Sequence, residues 1–143
     1  MLSRRNVRIK IMQVLYAAQR QELVSPKAYD SLLIQFVRGS FQLYLQNLLI
    51  IQRVCEYAKH DLATRRAKLR PSAQDKAFKA ILANNLAIRS LSDNPELSQV
   101  YDRYGVRSMI DADQIQSLYR EFIQTAEFKN YLAEDDMGKE PTV

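Results

Sequence analysis

The chain has 143 residues, a size for one domain with a single core, and 47% of them are hydrophobic, which excludes disorder along its whole length. With Gly 3 and Pro 4, turn chemistry is scarce, so a few long helices are expected rather than many short strands. The net charge of +5 hides an asymmetry: residues 1–70 hold 13 Lys+Arg against 4 Asp+Glu, and residues 71–143 hold 8 against 12.

A half so basic suits a polyanion, or simply the acidic half of its own fold. No apolar stretch of about 18 residues is free of charge, so no membrane span is expected. Arg8, Lys10 and Gln13 interrupt any apolar run after the first arginines, which argues against a secretory signal. Cys55 is the one cysteine, so no internal disulfide can form, and a reducing cytoplasm is the expected location.

The first helix is expected from Ser3 or Arg4 to about Glu22, with Ser3 as its cap. Arginines in its first turn oppose the helix dipole and cost up to about 1 kcal/mol. Val7, Ile11, Val14, Leu15 and Ala18 form one apolar stripe, while Ile9 and Tyr16 lie nearly opposite with Met12 between the two sets. Such a helix packs in two directions, or stays open to a partner on one side.

Val24-Ser25-Pro26 breaks the chain, with Ser25 as N-cap and Pro26 at the first helical position. A long helical region follows to about Arg70, and Pro71 stops it. Unbroken, it would extend about 65 Å. Gly39-Ser40 is its weak point, so either one kinked helix or two with a tight break are expected there. A helix over Ser72 to Leu91 comes next, then the breaker Ser92-Asp93-Asn94-Pro95 and a short helix to about Tyr104, ended by Gly105. Asp111 with Gln114 reads as a capping box, and Ile115, Leu118, Tyr119, Phe122, Ile123 and Ala126 trace an amphipathic face, with a recap at Thr125. The fold expected is all-α, a multi-helix bundle with a long, kinked second helix. It spans 1–132, and 133–143 form a disordered acidic tail or linker.

The chemistry sits in charge. Arg4, Arg5, Arg8 and Lys10 form a cluster at the start of the first helix. Arginine forks suit phosphate, and single-stranded RNA adds stacking on arginine planes and aromatics. The plainer reading is a solvated helix end. Arg65, Arg66, Lys68 and Arg70 form a second cluster, which as a helix terminus is explained by the dipole alone. His60 and Cys55, five apart, do not share a helix face, and no second His or Cys completes a metal site. No catalytic residue, metal site or cofactor is expected, and the chain reads as non-enzymatic. The eight tyrosines and five phenylalanines fall mostly on core positions, with Tyr16 and Tyr29 as the candidates for exposure near the basic helix.

The run Arg4-Arg5-x-x-Arg8, continuing through small and apolar residues to Gln13-x-Leu15-Tyr16, resembles the opening helix of NusB-type transcription antitermination factors. The family's C-terminal Asn-Glu-x-x-x-Leu-Ala-Lys helix and its Lys-Phe-Val-Asn-Gly element are missing here. The chain is therefore similar to the N-terminal helical half of the long, Bacteroidetes-like form, as the NNLAIRSLSDNPEL and IQSLYREFIQTAEFKNYL stretches also are. The resemblance implies transcription regulation: binding of boxA-like single-stranded RNA by Arg4, Arg5 and Arg8, with Lys10 added on charge, beside a small-subunit ribosomal protein. The alternative is a helical scaffold that binds a protein or forms a homodimer through Ile9, Met12 and Tyr16. A third reading is the attachment module of an rRNA methyltransferase.

Overall fold

The computed structural model describes residues 3–21 and 25–137, with side chains through Leu132. The fold is all-α. Among the described residues the elements are α1 (Arg4–Arg20), α2 (Pro26–Arg66), α3 (Ala73–Ala77), α4 (Ile81–Asn84), α5 (Leu86–Ser92), α6 (Pro95–Arg103), a 3-10 turn (Val106–Met109), α7 (Ala112–Phe122) and α8 (Ala126–Met137). They form two compact units, Met1–Leu45 and Gln46–Val143. No helix among the described residues is long and apolar enough to cross a membrane.

Capping chemistry sets most boundaries. Ser3 accepts from the Asn6 amide at 3.2 Å and opens α1, which ends at Arg20; the expected end near Glu22 lies outside the described residues, as does Val24. Asn94 caps α6 with Pro95 at its first turn, and Gly105 takes the left-handed conformation at φ 63° that follows it. Asp111 caps α7 through the Asp113 amide at 3.1 Å, and Thr125 accepts from the Phe128 amide at 3.3 Å. α8 carries helical backbone to Met137, and the rest of the expected tail, 138–143, lies outside the described residues.

Of the two forms expected for the long region, α2 is the single helix, 41 residues continuous through Gly39-Ser40, where the Ser40 hydroxyl donates to the Phe36 carbonyl at 2.9 Å. One expectation changes: the helix expected over 72–91 is three short ones. Phe78 is extended at ψ 132° and ends α3, and Asn85 at ψ 134° caps α5 by accepting from the Ala87 amide. The breaks let Ala80, Leu82, Ala83 and Ile88 all be buried, while Leu86 stays 80% exposed. No single helical face holds that set.

Within Gln46–Val143, Ala58, Ala80, Leu82, Ala83, Tyr119 and Phe128 form a core, against which Val54, Cys55, Leu62, Ile123 and Leu132 pack. Gln52 is buried and polar, and it is satisfied: its amide donates to Ser92 Oγ at 3.0 Å and to Glu56 Oε1 at 3.3 Å, and its Oε1 accepts from the Tyr101 hydroxyl at 3.4 Å. Within Met1–Leu45 the buried hydrophobics among the described residues are Val14, Ala18 and Leu45.

Candidate nucleic-acid interface

α1 buries a narrow edge. Val14 and Ala18, one turn apart, are covered, and Lys10 lies one turn before them on the same side, half-buried, with its ammonium 6.0 Å from the centre of the Phe36 ring on α2. The rest of the expected apolar stripe is open: Val7, Ile11 and Leu15 are 41–51% exposed.

Arg4, Arg5 and Arg8 are exposed, and their spacing of three and four places them on a common face. No acidic residue stands in the first turn of α1, and no ion pair holds these three guanidiniums among the described residues. Lys10 lies around the helix from them, so the structure gathers Arg4, Arg5 and Arg8 and sets Lys10 apart. From Arg8 a row of residues four apart runs along α1 through Met12 and Tyr16 to Arg20. Met12 is 67% and Tyr16 62% exposed, Ile9 flanks them at 44%, and the Arg20 guanidinium sits 5.4 Å from the Tyr16 ring centre. The row is cationic at both ends and apolar and aromatic between, over about 18 Å of helix.

The second basic cluster is built differently. Asp75, in the capping box of α3, accepts from Ser72 on both backbone and side chain and from Lys68 Nζ at 3.0 and 3.1 Å; Arg65 Nη1 donates to it at 3.3 Å. The Lys68 and Ser72 hydrogen bonds hold its carboxyl down at about 2. Arg65 also donates to Asp61 at 3.1 Å and lies 4.4 Å from the Phe78 ring centre. Asp61 in turn accepts from the Tyr119 hydroxyl at 3.0 Å; burial first, then the Asp61 charge, push that phenol above its usual range. Arg65 and Lys68 are thus joints of the fold. Arg66 and Arg70 are exposed. Sequence periodicity missed Asp75 as their partner because the chain reverses after Pro71, so the contact does not follow helical spacing.

His60 is exposed and its ring lies 5.0 Å from Tyr57; Cys55 is half-buried, and burial followed by the Glu56 charge raises its thiol pKa, which keeps it from thiolate chemistry. Among the described residues no group of three or more His, Cys, Asp or Glu side chains is placed to hold a metal. No family model, no curated protein and no solved structure matches the chain.

Proposed function

We propose that the chain binds single-stranded RNA through the outer face of α1, as an RNA-binding regulator of transcription termination of the antitermination type that its opening helix resembles. The observation that carries this is the contrast between the two basic clusters. Arg65 and Lys68 are given internal carboxylates, whereas Arg4, Arg5 and Arg8 have none among the described residues, at a helix end where positive charge is unfavourable. Arginines on the RNA phosphates and bases stacked on Tyr16 and Met12 fit the row, and Lys10, on the other side of the helix, adds only to the charge around it. The role is non-catalytic, cytoplasmic, and shared with a small-subunit ribosomal protein.

The test is binding of the chain to boxA-like and scrambled RNA over a salt series. Three or four phosphate contacts give a log–log slope of about −2 to −3, at roughly 0.7 per contact. Arg4, Arg5 and Arg8 changed together to alanine remove about 2 units of that slope, and Tyr16→Ala weakens binding by about 1–3 kcal/mol without moving it. A slope near zero, or one unchanged in the triple variant, overturns the reading.

The exposure of Ile9, Met12 and Tyr16 beside Val7, Ile11 and Leu15 favours a second reading, a scaffold whose α1 face meets a protein partner or a second copy. Changing Ile9, Met12 and Tyr16 to serine then abolishes the association, measured by sedimentation, and unaltered association counts against it.

A further inference from the structure

A cleft in the Gln46–Val143 unit stands apart from everything assigned to α1. Its volume is about 380 Å³, within the roughly 300–1,000 Å³ of small-molecule sites, and Arg53, Arg107, Glu56, Tyr57, Leu49 and Ile115 line it. Its charged groups are not equally available. Glu56 Oε1 accepts from Ser92 Oγ at 2.6 Å and from the buried Gln52 amide at 3.3 Å, so the acid is tied into the interior network. Arg107 is fixed in place: Nε donates to Asp102 at 2.7 Å, Nη2 donates to Ser98 at 2.7 Å, and the guanidinium lies 5.7 Å from the Tyr101 ring centre. Those bonds leave the other donors of its fork unused. Arg53 is exposed on α2, and no hydrogen bond or ion pair engages it among the described residues.

Two guanidiniums with spare donors, one of them already immobilised, make a cradle for a phosphate. A bare anion would leave the rest of the cleft unused, because the half-buried Tyr57 and Ile110 and the exposed Ala112 give it an apolar and aromatic wall of the kind that a flat ring covers. A polar recess of about 250 Å³ adjoins it and shares Arg53, Glu56 and Arg107; its Ser92 and Ser98 hydroxyls are already bonded to Gln52, Glu56 and Arg107. We propose that this cleft binds a nucleoside monophosphate, with the phosphate between Arg53 and Arg107 and the base against Tyr57 and Ile110. The site is independent of the RNA reading of α1. Its ligand is a free nucleotide or the phosphorylated end of a strand, which share this chemistry.

The experiment is an NMR titration of the full chain, isotopically labelled, with adenosine 5′-monophosphate, adenosine and inorganic phosphate. The amides of Ile110, Ala112 and Ile115 shift with the nucleotide, and adenosine or phosphate alone binds at least about tenfold more weakly. Arg53→Gln weakens the nucleotide about tenfold at unchanged melting temperature, since nothing in the fold leans on Arg53. Arg107→Lys also weakens the nucleotide, by keeping the charge and losing the fork, and lowers the melting temperature because Arg107 bonds Asp102 and Ser98 as well. The variant with Arg4, Arg5 and Arg8 changed to alanine binds the nucleotide as before, which keeps this test separate from that of α1. A short RNA with a 5′-phosphate that shifts the same amides, when its 5′-hydroxyl twin does not, identifies the strand end; shifts with the mononucleotide alone identify the free compound. Absence of shifts in the cleft, or equal response to phosphate and nucleotide that Arg53→Gln leaves untouched, overturns the proposal.

Discussion

Asp75 binds the end of α2 to the start of α3 through Arg65, Lys68 and Ser72, and its carboxyl is held at about 2 against an ordinary 3.8. A carboxylate depressed in the folded state contributes stability that is complete above its unfolded value and disappears as pH falls through the folded one. Stability should therefore decline between about pH 4 and pH 2, and Asp75→Asn should be less stable than the parent at pH 7 and converge with it near pH 2 in urea titrations. A variant equal to the parent at neutral pH would show that the ion pairs contribute nothing net. At this scale the sequence disclosed most caps, because Ser3, Asn94-Pro95, Asp111 and Thr125 act on residues two or three positions away. It disclosed the arginines of α1 as a cluster too, since i, i+3 and i+4 spacing needs no tertiary information. It did not disclose Asp75 as a partner, nor that Arg53 and Arg107 line one cleft, because both depend on how distant segments meet.

Among the elements, α2 runs through a weak local signal without a break. Gly39 lies inside the continuous helix, no atom comes within 4 Å of the position a Cβ would take, and its φ is not positive. Gly39→Ala should accordingly stabilise the helix by about 1 kcal/mol, read as a rise in melting temperature of a few degrees. A fall would mean that the glycine is needed for a bend. Residues 72–91 err in the opposite sense: Asn84-Asn85 is a legible turn signal, but the apolar residues around it mask the break unless burial is known. Leu86 is the clue in hindsight, an apolar residue left at 80% exposure once α5 is rotated to bury Ile88.

Across the molecule, the two units differ in what holds them. Gln46–Val143 contains the Ala58–Tyr119–Phe128 core and the buried Tyr101, Val106 and Ile115, while Met1–Leu45 buries Val14, Ala18 and Leu45 among its described residues. Amides of α1 should exchange with deuterium at least about tenfold faster than those flanking Tyr101 and Tyr119, because little apolar area opposes their opening. Equal protection would show that a cover is supplied to α1 in solution. The all-α class was readable from the scarcity of glycine and proline together with the apolar periodicities. The division into two units was not, since periodicity reveals which side of a helix is apolar and is silent on whether anything covers it.

The Asp75 clamp also dictates how a protease would see the end of α2. Trypsin needs a free basic side chain in its specificity pocket, and the segment from Arg65 to Arg70 offers four such residues beside Leu69, which is fully exposed. Two of them, Arg65 and Lys68, are held by the same carboxylate, and the bond after Arg70 is protected by Pro71. Arg66 is the residue left to present, so within this segment a brief digest cuts after it first, and Asp75→Asn adds the cut after Lys68.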